Sequence, residues 1–113
     1  LMDQVASTAP YGRKADTCGF PVKMAELLAT LPGVVYSERV TVNSPAHIAA
    51  CKKALKKSFE LQLEGKGMSF VEVLSPCPTG WKVSPVKALD WIEEQAIKEY
   101  PLGVIKDVEK EDA

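Results

Sequence analysis

The chain lacks most of what would announce a chemistry. It has one histidine, His47, and three widely spaced cysteines, Cys18, Cys51 and Cys77, in 113 residues. No CxxC pair and no Cys/His cluster is present, which argues against a complete zinc site built from this sequence alone. An odd number of scattered thiols argues against a disulfide framework and leads us to expect a reducing cytoplasm. No apolar run approaches the ~20 residues of a membrane span. Charge of one sign is not in excess: 14 basic residues face 15 acidic ones, so neither nucleic acid nor an anionic membrane is implied as a partner. Glycine-rich phosphate loops and GxSxG elbows are absent too. The opening, Leu1-Met2-Asp3-Gln4, has no basic head and apolar core of a signal peptide. It starts on leucine, and we expect a piece of a longer polypeptide.

What is present is an alternation of helix and strand. With 46% hydrophobic residues the length suits one small α/β domain spanning 1–113. Residues 1–19 read as extended or loop structure, 20–106 as the folded unit, and 107–113 as a charged, frayed tail. Within the first segment, Tyr11-Gly12-Arg13-Lys14 reads either as a solvated turn or as an anion or subunit contact. Pro21 to Leu31 reads as a helix with Val22, Ala25, Leu28 and Ala29 inward. Val34 to Val42 reads as a strand, apolar on both faces as a parallel strand would be. Glu38-Arg39 interrupts it, as a surface ion pair or as a polar contact near a site.

Ser44-Pro45 is a strong helix start. The long helix that follows places Ile48, Cys51, Leu55, Phe59 and Leu63 on one stripe. Lys52, Lys53, Lys56 and Lys57 line the other face; without interleaved arginine or aromatic residues they read as a solvated face. Cys51 reads as a small core residue, and His47 has no partner that would make it a base or a ligand. Gly65-Lys66-Gly67 stops the helix, and Met68 to Leu74 reads as a second buried strand. Strand, helix, strand implies a parallel βαβ unit with a right-handed crossover. A last helix, 85–99, follows Ser84-Pro85, with Leu89, Ile92 and Ala96 inward and Trp91 at the margin.

Between that second strand and the last helix lies Ser75-Pro76-Cys77-Pro78-Thr79-Gly80-Trp81. Two prolines stiffen the backbone on either side of one thiol. The loop sits at the C-terminal end of a parallel strand, where α/β proteins gather function. Cys77 has three readings: a packed inert thiol, a nucleophile or redox thiol, or one ligand of a metal or iron-sulfur centre completed elsewhere. A nucleophile needs an activating group that the sequence does not place beside it. A cluster needs four thiolates, which this chain cannot supply.

Several blocks together carry a resemblance. They are Ser7-Thr8-Ala9-Pro10-Tyr11-Gly12-Arg13, Gly19-Phe20-Pro21-Val22-Lys23-Met24-Ala25-Glu26-Leu27-Leu28-Ala29, Tyr36-Ser37-Glu38-Arg39-Val40, Ser44-Pro45-Ala46-His47-Ile48, Phe70 through Trp81, and Pro101-Leu102-Gly103-Val104. In order and spacing, from about Ser7 to Lys106, they resemble the C-terminal part of the β subunit of 2-oxoacid:ferredoxin oxidoreductases, of the 2-oxoglutarate or branched-chain 2-oxoacid type. The resemblance implies a βαβα portion of a thiamine diphosphate-binding fold, a short parallel sheet flanked by helices. It implies oxidative decarboxylation of a 2-oxoacid to an acyl-CoA on thiamine diphosphate, with electrons passing through [4Fe-4S] to ferredoxin. It makes Cys77 one of four cluster ligands and matches Cys18 and Cys51 to none. By the resemblance the thiamine and Mg²⁺ motif is expected upstream of Leu1, and the other three ligands, an N-terminal CxxC and a later cysteine, are not among these residues. The remainder of the β subunit, other oxidoreductase subunits, ferredoxin and coenzyme A are the implied partners, and the isolated chain is expected to be inactive. Against this stands a non-catalytic α/β interaction or assembly domain.

Overall fold

A computed structural model describes residues 1–6 and 11–111, with the side chains of 17–18 and 110–111 outside the description. Ser7 to Pro10, part of the first resemblance block, and the last two residues of the expected tail therefore fall outside it. After the short turn α1 (Ala15–Cys18) come α2 (Met24–Ala29), β1 (Val34–Thr41), α3 (Pro45–Leu63) and β2 (Met68–Leu74). The turn α4 (Pro78–Trp81) and α5 (Pro85–Trp91) follow. A π-helical stretch, Ile92–Ala96, carries α5 into α6 (Ile97–Glu99); β3 (Gly103–Asp107) and α7 (Val108–Glu111) close the chain.

The α/β class and the parallel pairing of β1 with β2 across α3 are as the sequence implied. The long helix begins where its cap dictates: Ser44 Oγ accepts the His47 backbone N–H at 3.3 Å, and Pro45 holds the first helical position. Ser84 and Pro85 repeat that arrangement for α5, with Ser84 accepting the N–H of Lys87. Gly67, at φ 147°, enters β2 in a conformation closed to other residues, and a Cβ there would lie 2.7 Å from a Val35 methyl.

The sheet is mixed rather than purely parallel. Its order is β2-β1-β3, and β3 runs antiparallel to β1, pairing Tyr36 with Asp107 and Arg39 with Gly103. Of the expected frayed tail 107–113, Asp107 is thus the last residue of β3 and Val108–Glu111 form α7. Five residues including a lysine and an aspartate carry too little alternation to read as a strand; β1 supplies the pairing that makes them one.

Three further expectations are corrected. α2 begins at Met24, not Pro21, because residues 20–23 offer no side chain to cap an earlier turn and Lys23 stays outside helical geometry at φ −94°, ψ 84°. α3 buries Cys51, Ala54 and Leu61, whereas Phe59 is 65% and Leu63 88% exposed. Cys51 and Ala54 let the helix approach the narrow sheet closely, Leu61 packs on Val35 and Tyr36, and Phe59 and Leu63 turn outward. β2 is an edge strand with Met68 and Val73 exposed, so it is not buried on both faces.

The core lies mainly between β1 and α3. Val35, Tyr36 and Leu61 form one cluster, and Val40, Cys51 and Ala54 another, with Val71 touching both. On the α2 side, Ala25 is fully buried and Ser37 Oγ donates to its carbonyl at 2.8 Å.

Candidate functional site

The candidate site is the C-terminal end of β2 and the turn that follows it. Leu74, the last strand residue, is fixed by two donors from the neighbouring strand's end. Its carbonyl accepts Thr41 Oγ1 at 3.2 Å and the Val42 backbone N–H at 3.3 Å. Ser75-Pro76 then leads the backbone off the sheet, and Cys77 becomes the residue before α4.

That turn is closed on itself. The Cys77 carbonyl accepts the Trp81 N–H at 2.8 Å, while the Pro78 and Thr79 carbonyls accept Val83 and Lys82 at 3.0 and 3.3 Å. Lys82 takes the left-handed conformation, φ 58°, ψ 42°, that makes this pair of bonds a Schellman closure. Pro78 suits the first helical position, where no N–H is needed. The Cys77 thiol is free and exposed at the head of this closed turn.

Aromatic packing supports the turn from below. The Trp81 and Trp91 rings lie 4.7 Å apart at 50°, a tilted contact of the kind aromatic pairs favour. With Leu74, Ile92, Ala96 and Tyr100 they line a recess of about 150 Å³ beside Ser75. Ile92 and Ala96 bound the π-helical stretch, whose extra residue per turn re-aims that face.

Arg39, read from the sequence as a surface ion pair or a polar contact near a site, makes its ion pairs buried rather than at the surface. It is 1% exposed. Its Nε donates to Glu72 at 3.0 Å, one terminal nitrogen donates to the Pro101 carbonyl at 3.1 Å, and the other contacts Glu26. The guanidinium lies 5.1 Å from the centre of the Tyr100 ring. Burial, then the Glu72 charge, pushes the Tyr100 hydroxyl pKa up. Tyr36 is raised for the same first reason, reinforced by its 2.7 Å bond to Glu38. Sequence reasoning missed this hub because its partners lie 13, 33 and 62 residues away along the chain.

Arg13 donates to the carbonyls of Gly19 and Phe20, and Lys14 pairs with Asp3, so this stretch ties down its own turn while Tyr11 projects into solvent. Lys52, Lys53 and Lys56 are exposed, whereas Lys57 pairs with Glu109 at 2.6 Å. That bond raises the Lys57 pKa and lowers that of Glu109. Cys51 is packed in the core, as its stripe position implied.

An iron-sulfur cluster can be tested against these donors. Among the described residues no group of three or more His, Cys, Asp or Glu side chains could hold a metal ion. Cys77 is accessible and held by a closed turn, so it fits one ligand position; the described residues do not fit the whole set. Among the described residues no helix is long and apolar enough to cross a membrane.

No family model matches the chain, and no solved structure does. Curated sequences do. Over 107 residues, 95% of this chain, it is 39% identical to the ketoisovalerate oxidoreductase subunit VorA of Methanothermobacter thermautotrophicus, covering 22% of that protein. It is 36% identical over 96 residues to the 2-oxoglutarate synthase subunit KorB of the same organism, covering 29% of it. With KorB of Methanocaldococcus jannaschii it shares 30% identity over 118 residues, 40% of that subunit. The chain thus spans between about a fifth and two fifths of the length of these relatives.

Proposed function

Starting from a chain homologous to subunits of 2-oxoacid oxidoreductases, we propose that it works as part of such an enzyme, with Cys77 as one thiolate ligand of a [4Fe-4S] cluster. The reaction is the oxidative decarboxylation of a 2-oxoacid to its acyl-CoA, and the candidate substrates are of the class that the relatives' names give, ketoisovalerate or 2-oxoglutarate. Thiamine diphosphate with Mg²⁺ supplies the decarboxylation chemistry when bound, and the cluster supplies the electron path to ferredoxin. The partners are the rest of the β subunit, the other subunits of the complex and ferredoxin, in a cytoplasm where thiols stay reduced.

What this chain's own residues contribute is placement. The observation that carries the reading is the exposed Cys77 thiol on a turn closed by three backbone bonds at the end of a pinned parallel strand. A ligand held in this way enters the cluster without ordering a loop first, so the entropy cost of coordination is small. The described residues supply one ligand position, so the other thiolates come from other segments or subunits, and the isolated 113-residue chain is inactive.

Substitution in the assembled complex tests this. Cys77→Ser, prepared without oxygen, is expected to lower iron content by about four atoms per copy of the chain and to remove one reduced-cluster paramagnetic signal. Cys51→Ala, in the core, is expected to leave both unchanged. Retention of full iron content and signal in Cys77→Ser overturns the assignment.

A further inference from the structure

Gly80 has no evident backbone reason to be glycine. It lies inside α4, and it is not among the residues with positive φ. At such a position alanine is the better helix former. Yet a Cβ built on Gly80 falls 2.6 Å from Cys77 Sγ and 3.8 Å from Cys77 Cβ, and meets nothing else within 4 Å outside its own turn and chain neighbours. The space left by the missing side chain is occupied by one atom, the Cys77 sulfur.

From this we infer that Gly80 is a positioning residue for Cys77: its bare Cα lets the sulfur fold back over the turn and thereby fixes the direction in which the thiol points. The inference builds on the reading of Cys77 as a ligand, and it gives that ligand a defined rotamer. A side chain at residue 80 closes this rotamer. The turn itself can stay, because the group in conflict is the free end of a side chain and a χ1 rotation relieves the contact. Glycine three residues after the cysteine is therefore a requirement of the thiol rather than of the helix.

The test compares wild type, Gly80→Ala and the double variant Cys77→Ala/Gly80→Ala, all in the 113-residue chain. The readouts are the Cys77 Cβ resonance and χ1 couplings with ¹³C-labelled cysteine, and the rate of Cys77 alkylation by iodoacetamide. Cys77→Ser assigns the signal. Gly80→Ala is expected to fold, to shift the resonance to a second rotamer, and to raise the alkylation rate by about threefold or more as the sulfur leaves the turn. An unchanged rotamer and rate overturn the inference. If Gly80→Ala does not fold, folding of the double variant supports it and misfolding of the double variant overturns it. These outcomes are independent of iron content in Cys77→Ser, so the positioning role and the ligand role fail separately.

Discussion

Arg39 shows how a single residue can be hidden from sequence and central to structure. The buried guanidinium is shared by two carboxylates, a carbonyl and an aromatic face. Removing a buried ion's partner is usually expensive because a charge is stranded. Here the stranded groups would be Glu26 and Glu72, whose side chains are 36% and 22% exposed and can recover water. We expect Arg39→Met to lower unfolding free energy by about 2–4 kcal/mol, toward the low end for broken buried pairs. Urea denaturation with an unchanged m-value measures it. Adding Glu26→Gln and Glu72→Gln should return part of the loss, because the two carboxylates then no longer repel. A loss below about 0.5 kcal/mol, the range of ordinary surface substitutions, would show that the hub contributes little.

At the scale of elements, legibility followed how local the determinants are. α3 and α5 were readable because Ser-Pro pairs start them, and β1 because an apolar run opens it between the breakers Pro32-Gly33 and Asn43-Ser44-Pro45. β3 was not, because its reason for being a strand is the edge of β1. The inward face of α3 was misjudged because the helix carries two apolar stripes. The stripe through Phe59 and Leu63 lost to the one through Cys51, Ala54 and Leu61, which faces the sheet. The location of Cys77 at a strand end was legible in the flanking prolines, whereas the seat of its sulfur over Gly80 required coordinates. The turn α4 carries its own prediction. Lys82 occupies a left-handed position at which glycine is favoured, and it costs on the order of 1 kcal/mol there. Lys82→Gly is expected to raise stability by about 0.5–1 kcal/mol, seen as a higher urea midpoint. A lower midpoint would mean that the lysine side chain makes a compensating contact.

For the molecule as a whole, the balance of covered and uncovered apolar surface matters most. Phe20, Leu27, Phe59 and Leu63 are each more than half exposed, and β2 and β3 are open sheet edges. Proteins that function alone rarely leave such surface uncovered. The relatives are subunits of oxidoreductases and are about two and a half to four and a half times the matched length. We expect the isolated chain to self-associate at micromolar concentration. Phe59→Lys with Leu63→Lys should shift it toward monomer in sedimentation velocity, with little change in stability because neither side chain is buried. A monodisperse monomer of the parent sequence would instead favour a self-sufficient interaction domain.

The reach of Arg39 also bears on the order in which the chain can assemble. Its bond to the Pro101 carbonyl closes 62 residues, and Lys106 reaches back 75 residues to the Leu31 carbonyl. During synthesis β1, α3 and β2 emerge long before either acceptor or donor is available. Until Pro101 arrives, the arginine on the central strand has two acidic neighbours but no lid, and water reaches it. The segment from Pro101 through β3 therefore acts as a late latch: the chain up to Leu74, about its first two-thirds, can form a βαβ unit, and the later segment seals the charge inside.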